Sequence, residues 1–134
     1  VKFFFDNCVA WRVAEALALL LELDGFEIVA LRSRFPENCP DEKWMPTLGN
    51  EGGWNVISGD RRIIRNPQRR RVWMESRLTT FFLAPAWSND AFTEREKHLR
   101  LLKRWNEIVE CATKADQGTA FILPYTGKIE RLKV

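Results

Sequence analysis

The chain is poor in the residues on which several kinds of chemistry depend. Its three cysteines, Cys8, Cys39 and Cys111, are widely spaced and include no Cys-x-x-Cys pair. That excludes a disulfide framework and a cysteine-built zinc site, and reads all three as reduced packing residues. A lone histidine, His98, lies among charged residues on a helical segment, so a Ser-His-Asp or Cys-His constellation has nothing to assemble around. Cys8 follows Asp6 closely but has no basic partner to lower its pKa, which leaves packing as its reading. Glycine is sparse, and its one cluster, GNEGG at 49–53, closes a helix instead of opening one. It matches neither a P-loop nor a dinucleotide fingerprint, and nucleotide cofactors drop out. Long hydrophobic runs are missing too. No segment is apolar for the length of a membrane span, and Lys2 is followed by only three phenylalanines before Asp6, unlike a signal peptide. The expectation is a cytoplasmic protein with no membrane partner.

What the sequence does contain is a normal core-forming supply, 46% hydrophobic residues in 134, enough for one domain spanning residues 1–134 and too short for two. The net charge of +3 is modest, but its distribution is uneven. Arg61, Arg62, Arg65, Arg69, Arg70, Arg71 and Arg77 share their segment with a single acid, Glu75. Such a stretch can meet a polyanion whatever the net charge of the chain. Its bland alternative is a solvated helix face.

Apolar periodicity predicts alternating elements. Residues 2–5 form an aromatic strand, and Val9, Val13, Ala14, Leu17, Leu20 and Leu21 repeat at helical spacing up to Asp24-Gly25. Residues 26–31 (FEIVAL) form a second strand, and a second helix runs from Asp41 to the Gly52-Gly53 stop, with Asp41 as its N-cap. Pro46 is tolerable there only within the first turn or just beyond it. Residues 54–58 are a third strand, 67–76 a helix with Pro67 near its first position, and 78–83 a fourth strand. From Asn89 a long amphipathic helix follows, its apolar stripe made of Phe92, Leu99, Leu102, Trp105, Ile108, Val109 and Ala112. A strand at 119–123 and a turn at Gly127 complete the chain. There are no repeats or linkers. The alternation predicts an α/β protein, a three-layer α/β/α sandwich with a mostly parallel central sheet.

In an open parallel sheet, ligands bind at the carboxyl ends of the strands. Asp6 ends the first strand, Asp60 follows the third, and Asp41 begins a helix on the same edge, so three carboxylates converge on one patch. Their mutual repulsion calls for a compensating cation, and an all-oxygen set suits magnesium or manganese, which share coordination with phosphates. Each acid also has a plainer reading: Asp41 as a helix cap, Asp60 as a Gly-Asp turn residue. Asp6 is the hardest to set aside, because a charge closing an aromatic strand is costly to bury alone. The six tryptophans read mainly as core, with Trp11 and Trp44, nearest the crest, as the ones able to touch a nucleotide.

Together KFFFDN, VAWRVAEAL, PDEKW and VISGDRRI resemble the PIN-like domains of bacterial toxin–antitoxin systems, the VapC-like ribonuclease toxins and the short Mut7-C-like group. The resemblance covers residues 2–83. It implies a parallel α/β/α fold, a Mg2+ or Mn2+ site and single-stranded RNA as substrate. It carries Asp6, Asp41 and Asp60 over as metal-binding acids, with Asn7 and Ser58 as small polar residues that orient them. It also implies a metal-dependent endoribonuclease neutralised by a cognate antitoxin protein, and leaves a homodimer open. Arg61, Arg62 and Arg65 are the residues assigned to RNA phosphates. A fourth acid, present in larger relatives, has Glu37 and Glu42 as its candidates. Two alternatives stay open: a catalytically silent PIN-like module binding RNA or protein, and a receiver-type phospho-acceptor domain. The receiver reading lacks an acidic pair after the first strand and a lysine late in the sheet.

Overall fold

The first strand, β1 (Lys2–Phe5), shows how this sequence builds two cores from one ribbon. Successive side chains of a strand point to opposite faces. Phe3 and Phe5 enter one apolar cluster and Phe4 the other, all essentially inaccessible to solvent. A computed structural model describes residues 1–7 and 9–134, so the packing role expected of Cys8 lies outside the described residues. The strands β2 (Glu27–Ala30), β3 (Trp54–Ser58), β4 (Thr79–Leu83), β5 (Ala120–Leu123) and β6 (Glu130–Arg131) complete a six-stranded sheet in the order β2-β1-β3-β4-β5-β6. All pairings are parallel except the last, where β6 runs antiparallel to β5.

One face carries α1 (Trp11–Leu21), α6 (Glu94–Lys103) and α7 (Trp105–Lys114). Val13, Leu17, Leu101, Trp105 and Ile108 pack there with Phe3, Phe5 and Phe81. The other face carries α3 (Asp41–Glu51) and α5 (Pro67–Ser76), whose Trp44, Leu48 and Trp73 pack on Phe4, Val56 and Phe82. Two single-turn helices, α2 (Leu31–Arg34) and α4 (Arg62–Arg65), sit directly after β2 and just beyond β3. The predicted three-layer α/β/α architecture is the observed one.

Local chemistry explains most boundaries. Asn66 Oδ1 accepts from the amides of Gln68 and Arg69, and Pro67 fills the first helical position of α5. At the far end of α3, Gly52 and Gly53 both take positive φ, which stops the helix and turns the chain into β3. Glu51, the last residue of α3, binds Arg34 and accepts from Trp54 Nε1 at 2.8 Å. Those donors, Arg34 first, pull its carboxyl down to about 2.

Four expectations need correction. Asp41 is the first residue of α3 and not its cap; the cap position belongs to Pro40, and no side chain caps it. Leu31 leaves β2 and opens α2, because its side chain is drawn into the Trp44 cluster. Trp44 is 1% exposed and cannot stack on a nucleotide. The long helix after Asn89 is two helices, broken at Arg104. The buried Arg104 guanidinium donates to the carbonyls of Pro124 and Gly127 and to Glu107 Oε2, holding the turn after β5. The break shifts the apolar stripe, so that Leu101 is buried while Leu99 is 61% exposed. Beyond the turn at Gly127 the chain adds β6.

Helices α3 and α5 touch through backbone. A Cβ added at Gly49 would stand 2.7 Å from the Ser76 carbonyl oxygen and 2.9 Å from its Cα, neither of which can swing aside. Gly49→Ala should therefore force the helices apart and lower stability by about 1–3 kcal/mol, the usual cost of overpacking, read from urea unfolding. Unchanged stability would mean that this contact is loose.

Candidate functional site

The strand order 2-1-3-4-5 reverses direction between β1 and β3, and a crevice opens at such a switch point beyond the carboxyl ends of the strands. The register there pairs Phe5 with Ile57, and the Asp6 amide continues the ladder to the Ile57 carbonyl at 3.2 Å. Asp6 thus stands beside Ser58, the last residue of β3. The fully buried Ser58 hydroxyl donates to Asp6 Oδ2 and accepts from the Asp60 amide at 3.0 Å. One hydroxyl couples the acid of β1 to the backbone that positions the acid after β3.

Asp60 is held tightly. Its Oδ1 accepts from the Arg62 amide at 3.0 Å and from Arg62 Nε at 2.9 Å, while Oδ2 accepts from Arg62 Nη2 at 2.9 Å. These bonds keep its carboxyl below the usual range against the opposing effect of burial. Asp41 is the reverse case. Burial raises its pKa, the Trp44 Nε1 hydrogen bond at 3.0 Å opposes this, and the charge of Asp60 adds to the rise. The two carboxylates therefore feel one another. Arg69 lies 3.9 Å from Asp41 Oδ2 and 3.4 Å from Glu42 Oε1.

Asp6, Asn7, Asp41 and Asp60 line one polar cavity of about 230 Å³, together with Arg62 and Arg69. Three acids from β1, α3 and the turn after β3 are thereby brought to one place. Asn7 Nδ2 donates to the Glu37 carbonyl, and Glu37 is not among the described residues that line the cavity. Glu42 also stays outside the lining and shares Arg69 with Asp41. Arg61, Arg62 and Arg65 border a second, larger cavity next to the first. The sequence reading placed Arg69 in the basic run without giving it a role. The Asn66-Pro67 helix start could have found it, because it puts Arg69 in the first turn of α5, on the same edge as the acids.

Among the described residues, no group of three or more histidine, cysteine, aspartate or glutamate side chains stands close enough to hold a metal ion. Arg62 occupies both oxygens of Asp60. The donor chemistry nevertheless suits a hard divalent cation: all donors are oxygens, the cavity is polar, and the repulsion between Asp41 and Asp60 is what such a cation relieves.

A family model described as a PIN like domain matches residues 1–85. No curated protein and no solved structure matches the chain. The matched portion runs from β1 through β4 and includes all three acids. Residues beyond it supply α6, α7 and the last two strands of the same sheet.

The opposed shifts of two acids give a test by stability. Asp60, with a depressed folded pKa, stabilises the fold above its ordinary value of 3.8, and that contribution is lost as pH falls below it. Asp41, with a raised one, costs stability as pH climbs from 3.8 through its folded value. Asp41→Asn, which keeps an acceptor for Trp44, should raise Tm by a few degrees at about pH 7 and leave it nearly unchanged at about pH 3. Asp60→Asn should lower Tm at neutral pH. Thermal unfolding across that range checks both signs, and a loss of stability in both variants at neutral pH would contradict the geometry.

Proposed function

The chain belongs to the PIN-like domain family, and from that premise we propose that it is a metal-dependent endoribonuclease cleaving single-stranded RNA, with Asp6, Asp41 and Asp60 holding Mg2+ or Mn2+. Nuclease activity is common in the family. The observation that carries the reading is the convergence of acids from β1, α3 and the turn after β3 on one small polar cavity beside arginines of α4 and α5. An ion bound there would supply Lewis acidity, activating a water for in-line attack at phosphorus and stabilising the leaving oxygen.

The chain's own residues have definable parts in this reaction. Ser58 fixes Asp6 relative to Asp60, so that their separation does not depend on side-chain freedom. Trp44 fixes one oxygen of Asp41 and leaves the other toward Arg69. Arg69 offsets the negative charge that would otherwise repel an incoming phosphate. Arg62 serves one of two partners, Asp60 or substrate, and must release Asp60 before its oxygens can take a cation. Arg61 and Arg65 lie on the side from which a neighbouring phosphate would approach.

The receiver-type alternative shares this strand order and the acids after β1 and β3. However, Asn7 follows Asp6, and β4 runs out into Ala84-Pro85 with no lysine. The toxin role, with a cognate antitoxin as partner, extends the nuclease reading. Its own test is growth arrest on expression, relieved by a co-expressed partner protein.

Purified protein should cleave single-stranded RNA with Mg2+ or Mn2+ and not in chelator, and Asp6→Asn/Asp60→Asn should reduce cleavage about a hundredfold or more. Full activity in that double variant would overturn the reading. Tight RNA binding without cleavage under any divalent metal would select the silent module instead. Arg62→Gln, which frees Asp60, should tighten Mn2+ binding by roughly three- to tenfold in calorimetry, the scale of one exposed ion pair.

A further inference from the structure

Next to the acid cavity lies a larger cleft of about 440 Å³, bounded by α1, α4, the end of β4 and α6. Its volume falls within the range of small-ligand sites. Its wall is apolar where Val13, Leu83, Trp87 and Leu101 meet, and its rim is basic, with Arg61 and Arg65 on one side and Lys97 on the other. Glu94 is the one acid among the described residues of the lining, and it pairs with Lys97 at 3.5 Å. The buried Nε of Arg61 has no hydrogen-bond partner among the described residues. An unsatisfied guanidinium N–H is costly, and an anionic oxygen is the acceptor that suits it best. The cleft also shares Arg62 with the acid cavity, so one ligand strand could run through both.

We propose that this cleft is a nucleotide subsite. The base of one nucleotide lies against the apolar wall, and its phosphate is taken by Arg61 and Arg65, which places the next phosphate of the strand toward Asp6, Asp41 and Asp60. Charge complementarity and continuity with the acid cavity favour a nucleotide over an uncharged ligand. The direction of the strand through both cavities rests on the nuclease reading above, whereas nucleotide binding in the cleft does not.

Binding can be measured without cleavage. In chelator, adenosine 5′-monophosphate should bind the full chain at least about tenfold more tightly than inorganic phosphate or adenosine alone, since each supplies only half of the contacts. Calorimetry gives the affinities, and amide chemical-shift changes should fall at residues of α1, α4 and β4. Arg61→Gln should weaken the nucleotide by about tenfold. Ala10→Trp, an exposed position at the cleft mouth, should do the same by obstruction, with circular dichroism verifying that both variants fold. If the unaltered protein binds the nucleotide in chelator and cleaves no RNA with metal, the nuclease reading falls and the subsite stands. The proposal is overturned if the nucleotide fails to bind at roughly 10 mM, or if both cleft variants keep its affinity within about twofold. It is likewise overturned if a glutamate-rich peptide displaces the nucleotide from the cleft at lower concentration, which would make the surface a protein-docking site.

Discussion

Everything at this site depends on the parallel pairing of β1 with β3. Because Phe5 stands opposite Ile57, the next residue of β1 falls beside the last of β3, and the Ser58 hydroxyl can reach both Asp6 and the Asp60 amide. A one-residue slip would reverse every side chain of β1, sending Phe4 where Phe3 and Phe5 belong. The aromatic alternation on both sheet faces therefore enforces the register, and the register sets the spacing of two acids. Core packing and site geometry are here the same constraint.

The electrostatics divide the acids by layer. Asp6 and Asp60 belong to the sheet edge and are held from below by Ser58. Asp41 belongs to the helical layer and is held by Trp44, itself buried against Phe4. Arg62 neutralises the first group and Arg69 leans toward the second. The arrangement balances three carboxylates with two guanidiniums at one end of the sheet, and any cation entering does so in competition with a charge the chain already provides.

Much of this was legible in the sequence, for identifiable reasons. The FFF run, the Gly52-Gly53 stop and the Asn66-Pro67 start are local signals, and each produced the element it announced. The meeting of Asp6, Asp41 and Asp60 followed from topology alone, because parallel strands deliver their ends to one edge. What could not be read were the particular side-chain contacts, near and far. The three-residue spacing of Asp41 and Trp44 permits their contact without announcing it, and only the fold shows that Arg69 lines the same cavity. The break at Arg104 was hidden because the helical period continues through it, and only the carbonyls of Pro124 and Gly127, some twenty residues on, make it worthwhile to interrupt the helix there. Arg62 was legible as a basic residue but not as the partner of Asp60.

The close approach of Gly49 to Ser76 has a consequence for motion. With no side chain between them at Gly49, α3 and α5 form one plate that carries Asp41 at one helix start and Arg69 at the other. The remaining acids are anchored to the sheet. A tilt of that plate changes the gap between Asp41 and the Asp6–Asp60 pair while leaving each group internally unchanged. The width of the cavity is therefore set by how the two helices together rest on Phe4, Val56 and Phe82.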